Sequence, residues 1–223
     1  MTPLYPNTIV TGSLSKAYSL AGLRTGWLAC RNPHLLSAIA AARDYTTISV
    51  STLDQQVAAF ALAPMTVHGL LSRNIALAKK NLEVLSGYVE KWKIRDWVAE
   101  WRRPVAGTTA WVRFERDGVP VKAVEFCSRL QEETGVMFLP GDRGFGVEVA
   151  GVGGRANEGG EGGRAIDEGY DFGTENRERK WKGYVRIGYV PATKVLEEGL
   201  AAAHKWMMKN WNSLPVEEEV EES

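Results

Sequence analysis

A single lysine, Lys16, stands in a stretch of small and hydroxyl-bearing residues at 11–27 that includes Gly12, Ser13, Ser15, Ser19, Gly22 and Gly26, with Arg24 eight positions beyond it. Lysine offers an amine nucleophile, serine hydroxyls and an arginine fork bind phosphate oxygens, and glycines let a ligand approach the backbone. Together these residue types point to a phosphorylated carbonyl compound held at the loop. Taken alone, each is also what a polar surface loop contains.

Other patterns carry less. Ser13-Leu-Ser-Lys16 satisfies the S-x-x-K arrangement in which a lysine activates an acylated serine, but the later S-D-N and K-T-G elements of such hydrolases are missing. The run Gly151-Val-Gly-Gly-Arg-Ala156 fits G-x-G-x-x-A, yet glycines and a glutamate follow where a dinucleotide site needs a helix N-terminus. His34, His68 and His204 are far from one another and from Cys30 and Cys127, so no metal-ligand set emerges, and both cysteines read as small hydrophobes. Trp92, Trp97 and Trp101 interleave with Lys93, Arg95, Arg102 and Arg103. That mixture suits either a nucleic-acid strand or, as preferred here, tryptophans packed at a helix exit beneath basic stems.

The whole-chain composition narrows the class. At 223 residues, 44% hydrophobic and 24% charged, the chain has the make-up of a folded protein of one or two domains. Its 27 basic and 27 acidic side chains cancel, leaving no global field for nucleic acid or anionic lipid. No signal-like segment and no run of about 18 apolar residues occurs. The expectation is a cytoplasmic protein with no nucleic-acid or membrane partner and no bound metal.

The elements that must position the lysine follow from periodicity. Apolar runs at 8–11 and 27–30 read as strands flanking the lysine loop. Pro33 opens one helix, and Ser51 caps a second. Leu71, Ile75, Ala78, Leu82, Leu85, Val89 and Trp92 recur at steps of four and three, predicting a long amphipathic helix over 67–92 that bridges two packing units. Beyond it, 110–114 reads as a strand, 121–133 as a helix stopped by Gly135, 136–139 as a strand, 184–190 as another and 192–211 as a terminal helix, a small α/β unit. Residues 151–182, glycine-rich and densely charged, read as a mobile insertion, and the glutamates from Glu217 onward as part of a solvated tail.

The run Ser13-Leu-Ser-Lys-Ala-Tyr-Ser-Leu-Ala-Gly-Leu-Arg-Thr-Gly26 resembles the pyridoxal-phosphate attachment signature of class I/II aminotransferases, of the fold-type I superfamily; its one departure is Thr25, where an aliphatic residue is usual. Ser51-Thr-Leu-Asp-Gln-Gln-Val-Ala is similar to the family's segment after the lysine, and Pro104-Val-Ala-Gly107 to its entry into the small domain. Pro140-Gly141 with Phe145, then Gly183-Tyr-Val-Arg-Ile187, resemble the late turn and the arginine strand.

The resemblance implies an α/β fold, the C-terminal part of a fold-type I transferase. It divides the chain into a partial large domain at 1–66, an interdomain helix and linker at 67–103, a small domain at 104–212 and an acidic tail at 213–223. It implies that Lys16 condenses with the aldehyde of pyridoxal 5'-phosphate and later acts as the base at the substrate Cα, tasks suited to a lysine buried among its neighbours. Ser13 and Arg24 would hold the cofactor phosphate, Ser15 beside them, and Arg186 would clamp the substrate α-carboxylate. The activity implied is amino-group transfer from an amino acid to a 2-oxo acid, by a homodimer in the full-length family; elimination and cyclisation share the signature.

The departures matter equally. The family's aspartate for the pyridinium nitrogen, its tyrosine, its asparagine and its upstream phosphate-binding turn all precede the lysine. The fifteen residues before Lys16 contain no aspartate, and Tyr5 lies too close to be that tyrosine. The expectation is therefore an incomplete enzyme lacking the upstream part of the large domain, with a non-catalytic interaction or dimerisation module as the alternative.

Overall fold

The computed structural model describes residues 8–141 and 181–217. Phe145, the Gly151–Ala156 run, Tyr5, most of the expected 151–182 insertion and the tail beyond Glu217 lie outside them. The chain divides into two compact units, Met1–Lys79 and Lys80–Ser223.

In the first unit, β1 (Ile9–Ser13) and β2 (Gly26–Cys30) pair antiparallel, matching the two expected strands. Helix α1 (Pro33–Asp44) starts where the Asn32 side chain accepts from the backbone N–H groups of His34 and Leu35, with Pro33 at the first helical position. These satisfy donors that a helix start leaves unpaired. Ser51 caps α2 (Thr52–Leu62) by accepting from Asp54 N–H at 3.4 Å. No residue of α1 is buried, and only Ala58 and Ala61 of α2 are. Cys30 is half-buried, and its thiol lies 3.7 Å from the Asn32 carbonyl.

The long helix forms as α3 (Pro64–Lys93), 30 residues; from Lys80 onward it belongs to the second unit, where Leu82, Leu85, Val89 and Trp92 are buried. It ends where Asp96 turns to φ 57° and Trp97 N–H bonds back to the Trp92 carbonyl.

The second unit is an antiparallel sheet backed by helices. Strands β3 (Val98–Trp101), β4 (Thr109–Arg116), β5 (Val119–Pro120), β6 (Leu139–Pro140) and β7 (Tyr184–Gly188) arrange in the order β3-β4-β7-β6, with β5 also on β4. Helices α4 (Ala123–Thr134) and α5 (Thr193–Asn210) complete it. Ala110, Val112 and Phe114 of β4 and Val185 and Ile187 of β7 alternate onto the buried face. Their period of two sends Trp111, Arg113, Tyr184 and Arg186 to the other face.

Aromatic rings link the buried face to its helices. Phe114 meets Trp92 at 5.7 Å and Phe126 at 5.2 Å, and Phe126 meets Trp206 at 5.9 Å. Truncating such a ring to alanine costs about 3–5 kcal/mol. Trp97 stacks on Trp211 at 4.8 Å while the Arg95 guanidinium lies over its ring. Trp92 and Trp97 thus pack at the helix exit under a basic stem, the preferred reading of that cluster.

Three expectations need correction. β3 was not foreseen. The strand expected over 136–139 is paired only at Leu139–Pro140, opposite Arg186 and Val185. Residues 213–217 are docked: Leu214 is buried, Val216 bridges Val121, and Glu217 N–H donates to the Pro120 carbonyl at 2.8 Å.

Candidate active site

The lysine loop is built on the β1–β2 ladder. Ser13 stands opposite Gly26, and Leu14 N–H donates to the Thr25 carbonyl at 3.1 Å, so the two strands stay together where the loop leaves them. Leu14 is fully buried and anchors the loop; its carbonyl accepts from Leu20 N–H at 3.0 Å, while the Lys16 carbonyl accepts from Ser19 N–H at 3.0 Å. The chain makes these turns with Ser19 at φ 56° and Arg24 at φ 48°. Asn74 of α3 donates to the Ala17 carbonyl at 2.9 Å and braces the loop from the helix.

This local fold brings Ser13, Ser15, Lys16 and Arg24 onto one loop. Ser13 Oγ accepts from Ser15 N–H at 3.1 Å, which leaves its own proton to donate. The Arg24 guanidinium makes one bond, from Nη1 to the Ala21 carbonyl at 3.1 Å, and is otherwise turned to solvent. Lys16 is likewise exposed, so the burial expected around it is not provided by the described residues.

Arg24 also lines a cavity of about 800 Å³ with Gly12, Gly26 and Trp27 of the strands and Arg43, Ser51 and Asp54 of the following helices. A Cβ at Gly12 would lie 2.3 Å from the Trp27 ring, and one at Gly26 2.6 Å from the Gly12 carbonyl oxygen, so these glycines hold the cavity's wall at close contact. An amine for a carbonyl, with a hydroxyl and a guanidinium for a phosphate, is a donor set that fits pyridoxal phosphate. Arg43 was not foreseen, and Asp54 was marked only as part of the Ser51-Thr-Leu-Asp run.

Arg186 lies in the second unit, on β7. Trp111 is its register partner on β4 and Leu139 its partner on β6. Its guanidinium carbon is 6.0 Å from the Trp111 ring centroid, and it has no hydrogen bond or ion pair to any described residue. With Cys127, Ser128, Gln131 and Leu139 it lines a cavity of about 260 Å³. Gly183, at φ 75°, leads into this strand where a Cβ would meet the Phe114 carbonyl oxygen at 2.6 Å.

The same sheet face carries residues the sequence did not single out. The Tyr184 hydroxyl donates to the Glu100 carboxylate; burial first, then that bond, pushes the phenol up to about 12, so it remains a donor at neutral pH. Arg113 pairs with Glu115 at 2.6 Å. Among the described residues no cluster of three or more metal-ligating side chains occurs, and no helix is long and apolar enough to cross a membrane.

Residues 4–151 match the family described as Aminotransferase class I and II. Capreomycidine synthase of Streptomyces vinaceus is 34% identical over 142 residues, 60% of this chain and 32% of that protein. A PLP-dependent aminotransferase of Streptococcus suis is similar in structure, with a TM-score of 0.65 at 28% identity, over 92% of this chain and 43% of that one. LysN, the α-aminoadipate aminotransferase of Thermus thermophilus, solved with N-(5'-phosphopyridoxyl)-L-leucine, shares the fold with a TM-score of 0.66 at 18% identity, over 94% and 44% of the two chains. The chain thus spans less than half the length of these relatives. Match, fold and lysine loop agree, and the chain belongs to the class I and II aminotransferase family.

Proposed function

We propose that this chain carries the lysine and the carboxylate-binding arginine of a pyridoxal-phosphate-dependent transaminase, moving an amino group from an amino acid to a 2-oxo acid. The observation that carries the reading is the hairpin neck, which places Lys16, Ser13 and Arg24 on one loop. When bound, pyridoxal phosphate supplies the electron sink that lets a proton leave the substrate Cα.

The chain's own residues do the rest. Arg24 offers the phosphate a planar fork of N–H donors, and Ser13 adds its hydroxyl proton. Ser15, half-buried on the same turn, is the weaker candidate beside them. Lys16 Nζ would take the proton from the substrate Cα as general base and then hold it as the acid, so that it need not go back to Cα. Arg186 holds the α-carboxylate with two parallel hydrogen bonds.

Reduction with borohydride after exposure to pyridoxal phosphate, followed by peptide mapping, tests this assignment. The expected label falls on the peptide containing Lys16 and disappears in Lys16→Ala. A label that ignores Lys16, or persists in the variant, overturns it. An acylating probe that reacted with Ser13 would instead favour the serine hydrolase reading.

Two observations support further readings. Capreomycidine synthase is among the relatives, so ring closure is the alternative reaction; the PLP-dependent cyclase OrfR shares the fold with a TM-score of 0.65 at 23% identity. On α2, Leu53 is 78% and Phe60 70% exposed, an uncovered apolar face that favours work within a larger assembly, as a dimer or an interaction module.

A further inference from the structure

Asn74 interrupts an apolar stripe on the part of α3 that belongs to the first unit. Val67, Leu70, Leu71, Leu77 and Ala78 recur at steps of three and four residues and are half-buried, and Asn74 stands among them, half-buried as well. Asparagine is a poorer helix former than alanine or leucine, so helix formation does not account for it. A polar side chain on such a stripe needs a hydrogen-bond partner. Asn74 finds one 57 residues away, where its Nδ2 donates to the Ala17 carbonyl at 2.9 Å. Arg73 Nη2 donates to the Asn74 Oδ1 at 3.4 Å, which turns the amide so that its N–H groups face the loop.

That bond falls directly beside the residue that carries the amine. Before Lys16, Ser15 N–H is held by Ser13 Oγ at 3.1 Å; the Lys16 carbonyl accepts from Ser19 N–H at 3.0 Å; after it, the Ala17 carbonyl is held by Asn74. Peptide groups are planar, so fixing those on both sides of a residue leaves its Cα–Cβ direction little freedom. The first two bonds lie within the loop and move with it, whereas the third ties the loop to a helix of 30 residues. Ser19, at φ 56°, keeps a left-handed conformation that its surroundings must impose.

We propose that Asn74 is a positioning residue for Lys16: its bond to the Ala17 carbonyl keeps the amine in line with the phosphate donors Ser13 and Arg24, so that one ligand reaches both. The proposal rests on the cofactor reading above and adds the element that sets the spacing. A ligand held at two points gains over one held at a single point only while the separation of those points is kept. Asn74 acts through the loop backbone, as its bond is to the Ala17 carbonyl.

Labelling of the 223-residue chain with pyridoxal phosphate and with pyridoxal, each below saturation and trapped with borohydride, reads that alignment. With either reagent the amine adds to the aldehyde, water leaves and hydride reduction gives a secondary amine, so the two differ only in the phosphate. The native chain is expected to favour pyridoxal phosphate at Lys16 more than at Lys194, an exposed amine on α5. Asn74→Ala and the isosteric Asn74→Asp both lack the donor. Each should lower that preference by about 2- to 10-fold, the range that one neutral hydrogen bond supports, and leave the pyridoxal label unchanged. Amide hydrogen exchange at Ser19 and Leu20, whose N–H groups bond within the loop, should speed up in both variants; circular dichroism confirms that each is folded. An equal fall with both reagents, or unchanged exchange at Ser19 and Leu20, overturns the proposal. A native preference that both folded variants retain overturns this inference alone, and a native chain without phosphate preference at Lys16 overturns the cofactor reading and this inference with it.

Discussion

Gly26 faces the carbonyl oxygen of Gly12 so closely that a Cβ at position 26 would stand 2.6 Å from it. That oxygen is backbone and cannot swing aside as a side chain would. Gly26→Ala must therefore move β1 away from β2 at the Ser13 pairing, a strain of about 1–3 kcal/mol. The expected outcome is loss of most phosphopyridoxyl label at Lys16 with the second unit's thermal transition unchanged. A full label in this variant would show that the hairpin neck does not organise the site.

Arg24 offers a test of the proposed phosphate site that leaves the lysine in place. Arg24→Lys keeps the charge and loses the fork, and a hydrogen bond to a charged group is worth about 1.5–3 kcal/mol. Pyridoxal phosphate affinity, read from absorbance titration, should fall by about 10- to 100-fold. Pyridoxal without the phosphate should bind the variant and the native chain alike, because its contact to Lys16 is untouched.

Turnover is a separate question from labelling. The chain spans 43% of the Streptococcus suis relative, and the described residues leave Lys16 exposed. The 223-residue polypeptide assayed alone is expected to transaminate negligibly while still accepting the label; robust transamination by the purified chain contradicts this.

Asn81 is fully buried and ties α3 to the start of α5. Its Nδ2 donates to the Pro191 carbonyl at 2.8 Å, and its Oδ1 accepts from the Thr193 hydroxyl at 2.8 Å. Asn81→Ala removes both bonds, at about 0.5–1.5 kcal/mol each. Urea unfolding should show a lower midpoint in this variant at an unchanged slope.

His204 makes stability depend on pH. Its Nδ1 accepts from Trp92 Nε1–H at 3.2 Å, so the ring is held neutral at that nitrogen. Burial, then the nearby Arg95 and Lys91, holds its pKa below the usual 6.5. The unfolded chain then binds more protons than the folded one below pH 6.5. Its contribution is therefore complete above that value and is lost as pH falls through the depressed folded pKa. Urea midpoints between pH 8 and pH 5 should decline on the acid side, and His204→Gln should flatten that decline; an identical slope in the variant would assign the loss to other groups.

Much of the architecture was legible because it is locally encoded. Pro33, the Ser51 cap and the four-and-three spacing from Leu71 to Trp92 each specify helix within a few turns, and all three helices form. β3 was not legible: Val98-Ala-Glu-Trp101 has little alternation and becomes a strand by pairing with Phe114, Arg113 and Val112 across a register shift. The strand at 136–139 was overextended because only its last residue, with Pro140, meets β7. The docking of Leu214 was hidden because its burial depends on segments some ninety residues away, with Lys122 N–H donating to the Pro215 carbonyl.

By itself the amino-acid order determined which reactive groups the lysine loop carries, since Ser13, Ser15, Lys16 and Arg24 lie within twelve residues of one another and a single hairpin unites them. Only the tertiary structure decided what surrounds Arg186. Alternation along β7 places Arg186 and Tyr184 on one face, but which residues stand beside them depends on strand register, which distant segments set together. Pairing with β4 put Trp111 opposite Arg186, and pairing with β6 put Leu139 on its other side.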